Sequence, residues 1–330
     1  PYTLSLATIY VHVRAAVDEL LPLQIADVTT SDRGGLWSPG YGMADPKLTG
    51  QFVTLVGYTV LAADRLRDRS LARTTLLDRA VSAADYLLTA QHESGLIDLL
   101  SVNYDSAPDT AFTVQALCTI FELGRDQLAA EENGVLLLAR LEKFIRRALP
   151  GIATGGFHTP NHRWVMVSAM LQACALFPDL ADDAVLTQAV DAYLAEGMDI
   201  DAEGMFIERS VGAYDAVNDR SWLFIAQYGG SLLGTTGTTA KTIVAEVGRN
   251  LMLNLHLLHA DGTAETGLSR RQDYGTREVP IGLIDSYLVA NLLQPTPVFA
   301  AAAETLWRDS ALGLENPGWV CYGLLKCGDP

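Results

Sequence analysis

Apolar residues recur at helical spacing along nearly the whole chain, and runs with the two-residue alternation of strands are few. Between positions 76 and 88, for example, Leu76, Leu77, Ala80, Ala83, Ala84, Leu87 and Leu88 fall on one helical face. The pattern predicts about twelve helices, over residues 2–20, 50–67, 72–91, 108–124, 134–149, 161–177, 182–197, 213–231, 238–257, 280–293, 297–309 and 317–326. Alanine-rich faces, such as Ala300 to Ala303, let neighbouring helices approach closely.

The connecting segments alternate in length. Those at 21–49, 92–107, 150–160, 198–212, 258–279 and 310–316 are long, whereas 68–71, 125–133, 178–181, 232–237 and 294–296 are short. With successive helices antiparallel, every long segment lies on one face of the molecule. The long segments share a Gly followed by a bulky residue, at Gly35-Leu36-Trp37, Gly95-Leu96-Ile97, Gly156-Phe157-His158 and Gly204-Met205-Phe206, with weaker forms at Gly262-Thr263 and Gly313-Leu314. The successive offsets are 60, 61, 48, 58 and 51 residues, a degenerate repeat of a helical hairpin six times over. The expected fold is therefore all-α: an (α/α)6 toroid spanning residues 1–330 as one domain, with its cleft built from the long loops. An open superhelix is the alternative, and it fits six irregular units with unequal loops less well.

Composition narrows the partners. The chain carries 23 basic and 39 acidic residues, a formal charge of −16, and 49% hydrophobic residues, enough for a sizeable core. Only four of the cations are Lys. Nothing basic is concentrated enough to follow a phosphate backbone, so no nucleic-acid partner is expected. An acidic substrate stays open, because a few Arg in one cleft can outweigh a negative surface.

Cys118 and Cys174 sit in apolar helical patterns and read as small buried hydrophobes, while Cys321 and Cys327 are the pair that could bridge. No Cys/His metal spacing, membrane-length apolar run or signal peptide stands out, so neither metal nor cofactor nor membrane partner is expected. The chain begins at Pro1 without Met, which leaves a missing leader, and the choice between a cytoplasmic and an exported protein, open.

Function concentrates on loops carried by a rigid scaffold, and the polar and aromatic clusters of this chain fall in its long segments. Trp37 and Tyr41 suit packing against sugar rings, or a plug for the top of the toroid. Asn103 and Asp109 lie at a helix start, where capping by Asp109 or Thr110 is the plainer role. His158, Asn161 and His162 gather just before a long apolar helix. The two His are four apart, but Pro160 between them removes the shared helical face that a zinc site needs. The plainer roles are a helix cap for Asn161 and a satisfied first-turn residue for His162. Glu208 and Arg209 precede Tyr214, and read either as site residues or as a surface pair and a core ring. Arg270, Arg271 and Arg277 flank Asp273 and form either a carboxylate-binding patch or a solvated charge run. His256 and His259 end a helix, where the dipole alone favours them. Serine-hydrolase, phosphate-loop and dinucleotide fingerprints are missing from the sequence.

Asn161-His162 at a helix mouth, with Tyr214 52 residues after His162, resembles the heparinase II/III-like polysaccharide lyases. So does the pattern Asp-x-x-Gly-x-Phe-x-Glu-x-Ser-x-x-x-Tyr from Asp201 to Tyr214. The resemblance implies a toroid followed by a β-sandwich domain. It also implies that Asn161 and His162 neutralise a uronate carboxylate while Tyr214 moves the proton in a β-elimination. Trp37, Asn103, His158, Arg209, Arg270, Arg271 and Asp273 are the residues expected around the substrate. No β-sandwich follows residue 326, so a further C-terminal domain or a second subunit is expected to complete the site.

Asp109, Glu208 and Asp273 are carboxylates that a lyase does not need. Related toroids include glycoside hydrolases, β-glucuronidases and unsaturated-uronide hydrolases among them. These use an acidic pair, about 6.5–9.5 Å apart when inverting and about 5–5.5 Å when retaining. The expected function is cleavage of an acidic, uronate-containing oligo- or polysaccharide, with β-elimination ahead of hydrolysis. A glycan-binding toroid without catalysis is a second class. A prenyl-transfer toroid is a third, for which Asp182-Asp183 poorly matches the Asp-rich metal motif.

Overall fold

The structure is a computed structural model that describes residues 3–236, 238–310 and 317–330. Among them are twelve α-helices: α1 (Leu6–Leu20), α2 (Pro46–Leu66), α3 (Arg73–Ala90), α4 (Ala107–Leu128), α5 (Glu132–Thr154), α6 (Pro160–Leu176), α7 (Ala184–Leu194), α8 (Tyr214–Tyr228), α9 (Ala240–His256), α10 (Ile284–Leu293), α11 (Pro297–Ser310) and α12 (Gly318–Cys327). Two short antiparallel hairpins accompany them. β1 (Leu36–Ser38) pairs with β2 (Met43–Asp45), and β3 (Ile97–Leu99) pairs with β4 (Asn103–Ser106).

The even-numbered helices form an inner ring in which α2 packs on α4, α4 on α6, α6 on α8, α8 on α10 and α10 on α12. Because α12 packs back on α2, the ring is closed, and the fold is an (α/α)6 toroid rather than an open superhelix. Side-chain chemistry sorts the two layers. Inner α6 is buried all round from Arg163 to Cys174, as expected of a helix with neighbours on every side. Outer α5 buries one stripe, Leu137, Leu138, Leu141, Phe144, Ile145 and Ala148. Trp164 of α6 meets Trp222 of α8 with ring centroids 4.3 Å apart, which packs these two inner helices against each other.

Three local features depart from the periodicity. Helix α2 starts at Pro46, four residues early, because the Asp45 carboxylate accepts from the amides of Lys47 (2.9 Å) and Leu48 (3.1 Å). An Asp cap followed by Pro is a strong helix start, and it brings Lys47 into the first turn. Helix α5 continues through Pro150 to Thr154, so the third connection shrinks to residues 155–159 and is no longer long. Proline forfeits one backbone bond there, while Gly151, Ile152 and Ala153 beyond it are buried and hold the turn. The first two long connections fold into the β-hairpins instead of running as irregular loops.

The glycine repeat has a physical cause, shifted by one residue in the first unit. Gly34 and Gly95 adopt φ of +87° and +84°, and an added Cβ would lie 2.0 Å from the Ser82 carbonyl oxygen of α3 and 1.8 Å from that of Arg147 of α5. Only glycine permits both the left-handed backbone and that approach to the outer helix. Gly204 and Gly262 share the positive φ. Two residues after these four glycines stand Leu36, Ile97, Phe206 and Ala264, all buried and all in β-bridges. Gly156 has neither property, and Gly313-Leu314 lies outside the described residues.

Cys321 and Cys327 are free thiols, as are Cys118 and Cys174. Six residues along α12 separate the first two by about 9 Å of helix rise, too far for a disulfide. Inner helix α8 buries a polar set, Asp215, Asn218, Asp219, Arg220 and Ser221. Asp215 accepts from Asn250 (3.3 Å) and Asn254 (2.9 Å) of α9, and burial raises its pKa to about 7. Arg220 forks onto Asp285 of α10 at 2.7 and 2.8 Å and stacks over Trp319 of α12 at 4.2 Å. Among the described residues, no helix is long and apolar enough to cross a membrane.

Candidate active site

Each inner helix is entered from the same face of the toroid, so the N-termini of α2, α4, α6 and α8 open side by side. Their positive dipole ends favour anionic groups there. The first turns of these four helices carry Lys47, Asp109, Asn161 with His162, and Tyr214.

Lys47 Nζ meets Asp109 Oδ1 at 2.7 Å. The other Asp109 oxygen accepts the Ser106 hydroxyl at 2.7 Å, and Asn103 Nδ2 donates to that hydroxyl oxygen at 3.3 Å. Ser106 is the cap of α4, so Asp109 is not, and its side chain is free to pair with Lys47. Burial pushes the Asp109 carboxyl up, but Lys47 and Ser106 outweigh it and hold its pKa below the usual value. Phe112, on the same helix, lies 5.2 Å from the Lys47 ammonium and stands perpendicular to the His162 ring at 6.2 Å.

Asn161 is fully buried, and it is not a cap either, since Thr159 holds that position. Its amide nitrogen lies 2.9 and 3.0 Å from the two Glu208 oxygens. Asn218 and Arg271 approach the same carboxylate at 3.5 Å each. Glu208 thus sits under a roof of donors with its side chain 1% exposed. Burial raises its pKa, and the Asn161 bonds and the Arg271 charge offset only part of that rise.

Arg271 also reaches over the Tyr214 ring at 4.3 Å, and the Tyr214 hydroxyl donates to Gln272 Oε1 at 3.1 Å. Burial depresses the His162 pKa to about 4, with His158, Lys47 and Arg271 adding to the effect against Asp109. The ring is therefore neutral at pH 7. Its Nδ1 faces the His158 amide at 3.5 Å, which leaves the proton on Nε2 as a donor.

This depression has a measurable consequence. The His162 imidazole resonance, assigned by its loss in His162→Gln, is expected to titrate near pH 4 in an NMR series. Because the folded pKa lies below the unfolded 6.5, the stability due to the neutral ring is complete above about pH 6.5 and is lost as pH falls through 4. A midpoint near 6.5 would contradict the burial described.

Of the residues expected around a substrate, Asn103, Asp109, Asn161, His162, Glu208, Tyr214 and Arg271 belong to this contact network. His158 stands at its edge, exposed, with its ring 6.1 Å from that of His162. Asp273 accepts from Ser210 (3.0 Å) and Ser269 (2.6 Å), which fastens the two loops together. Arg209 and Arg270 are exposed and joined only through the backbone, Arg270 N–H donating to the Arg209 carbonyl at 2.8 Å. Arg277 pairs with Asp261 at 2.9 Å, away from Glu208. Trp37 and Tyr41 are 43% and 51% exposed on the β1–β2 hairpin, outside the network.

Lys47, Phe112, Asn218 and Gln272 were not legible as site residues. For Lys47 a signal existed, one of only four lysines placed directly after the Asp45-Pro46 helix start. Among the described residues, no group of three or more His, Cys, Asp or Glu is arranged to hold a metal ion.

No family model matches the chain, and no curated protein matches it. By structure, the chain resembles a solved polysaccharide lyase. The match has a TM-score of 0.53 and 12% identity, and it takes in 92% of this chain. The chain spans 46% of that structure's length, less than half of it. At that identity the likeness speaks for the toroidal fold.

Proposed function

We propose that the cleft cleaves uronate-containing glycans by β-elimination. The observation that carries this reading is the contact chain Asn161–Glu208–Arg271–Tyr214, which brings a cation and a tyrosine hydroxyl together, with the neutral His162 next to Asn161 in the first turn of α6. The fold shared with a solved polysaccharide lyase supports the same reading.

In this mechanism, the uronate carboxylate lies against His162 Nε2–H and the Arg271 guanidinium, which stabilise the enolate charge that grows as C5 loses its proton. Tyr214 acts as its phenolate, its own hydroxyl proton having passed to solvent, and takes the C5 proton to become the phenol. The electron pair forms the C4–C5 double bond, the C4–O4 bond breaks, and Tyr214 returns a proton to O4. Asn161 acts from below by holding Glu208, since its own amide is buried and engaged.

Hydrolysis draws on the raised pKa of Glu208, the property of a general acid. Burial speaks against it. Glu208 is 1% exposed and roofed by Asn161, while Asp109 is tied to Lys47 and Ser106. Both carboxyls are thus engaged by protein groups, unlike the open acidic pair that glycoside hydrolysis uses.

Isotopically labelled water separates the two reactions. Elimination inserts no water, so early products carry no solvent oxygen at the new chain end. Solvent oxygen there in every product would overturn the lyase reading, and no cleavage of any polyuronate would favour a glycan-binding toroid.

A further inference from the structure

A cavity of about 190 Å³ descends the toroid axis between α2, α4 and α12. Its lining includes Lys47, Gln51, Thr54, Tyr58, Phe112 and Trp319. Along α2 it runs from Lys47 to Tyr58, about 16 Å at the rise of an α-helix. The mouth is the first turn of α2, where Phe112 stands against the His162 ring. The lower end is closed by Tyr58, which is 1% exposed and whose hydroxyl is bonded to Thr119 at 2.6 Å.

None of Glu208, Arg271 and Tyr214 lines this space, and buried Tyr58 closes its far end, so a chain running across the cleft would not need it. A cavity of about 150 Å³ accommodates one benzene ring, so this one suits a single six-membered sugar ring rather than a chain. Its chemistry is mixed in the way sugar sites are: flat rings from Phe112 and Trp319, neutral polar groups from Gln51 and Thr54, and one charge. That charge is a cation. The Lys47 side chain is 40% exposed and lines the cavity, and Asp109, held by Ser106, engages it from one side. An ammonium has three donors, so the bond to Asp109 leaves others for a ligand. Arg220 stacks on the Trp319 ring at 4.2 Å and fixes that wall.

We infer that the axial cavity is a subsite for one terminal uronic-acid residue, with Lys47 as the group that recognises its carboxylate, so that cleavage proceeds from a chain end. The inference rests on the reading of the cleft as a uronate-glycan site, and it adds where the chain stops. Asp109 is then a positioning residue that aims Lys47 rather than an acid in the reaction.

The test is binding of free monosaccharides, which needs no catalysis. Glucuronate, mannuronate and galacturonate serve as probes and glucose as the neutral control, with calorimetry as the readout on the full chain. At least one uronate is expected to bind more tightly than glucose. Lys47→Gln should weaken that binding by about tenfold or more, as loss of a charge-assisted hydrogen bond does. Lys47→Arg should restore most of it, and Tyr214→Phe should leave it unchanged. Circular dichroism of Lys47→Gln establishes that the toroid is intact. Equal binding of glucose and the uronates, unaltered uronate binding by Lys47→Gln, or no binding at all would each overturn the subsite. The product pattern reads it a second way: single residues released from chain ends support it, and random internal fragments from a working lyase refute it alone. If uronate binding depends on Lys47 while no elimination is found, the subsite stands and the proposed reaction falls.

Discussion

Tyr214→Phe is expected to lower the rate of elimination by about 10²–10⁴-fold, the usual contribution of a positioned acid–base group. The substitution removes one oxygen and little else. The ring keeps its place beneath Arg271, 4.3 Å from the guanidinium carbon, and the hydrogen bond lost is the exposed one to Gln272. Stability should change by no more than about 0.5 kcal/mol, as at other surface sites. The effect should therefore fall on kcat with KM nearly unchanged, the signature of a group that acts in the transition state and not in ground-state binding. A hydrolase built on Glu208 or Asp109 would keep most of its rate in this variant, and measured rates near wild type would remove Tyr214 from the mechanism.

The second large effect is on stability and is expected at Glu208. Glu208→Ala leaves the buried Asn161 amide without its acceptor, and deprives Asn218 and Arg271 of theirs. Removing one partner of such a buried group costs about 3–5 kcal/mol, which should appear as a lower denaturant midpoint. Glu208→Gln keeps the volume but turns an amide nitrogen toward donor groups, so it should cost less than Ala and still leave a folded protein. The two functional readings part at this variant. If Glu208 holds Asn161 and Arg271 in place, Glu208→Gln retains measurable elimination. If it is a general acid, Glu208→Gln is as inactive as Ala even where folded.

The architecture was largely readable from periodicity, because alternation of connection lengths places six helix N-termini on one face whatever the details. Closure of the ring follows from that alternation together with six repeats, and the packing of α12 on α2 agrees. What was hidden depends on local competition. The continuation of α5 through Pro150 is decided by the burial of Ile152 beyond it, which no breaker rule anticipates. The early start of α2 depends on one Asp cap, and it determines that Lys47 faces the cleft.

The site shows the same division. Asn161, His162, Glu208, Tyr214 and Arg271 could be selected from composition and spacing. Their pairing could not, because Asn161 and Glu208 are 47 residues apart and Lys47 and Asp109 are 62 apart. Asn161 shows the consequence. Expected to meet a uronate, its amide in fact faces inward to Glu208, so Lys47, His162 and Arg271 are the donors that remain for an anion.

Elimination in this cleft is read by recording ultraviolet absorbance and reducing ends together on a panel of polyuronates. The C4–C5 double bond conjugated to a carboxylate absorbs, whereas a hydrolysed end does not. Both signals should rise in step with wild-type protein, and both should disappear with Tyr214→Phe. Reducing ends that rise without absorbance, and persist in Tyr214→Phe, would contradict elimination.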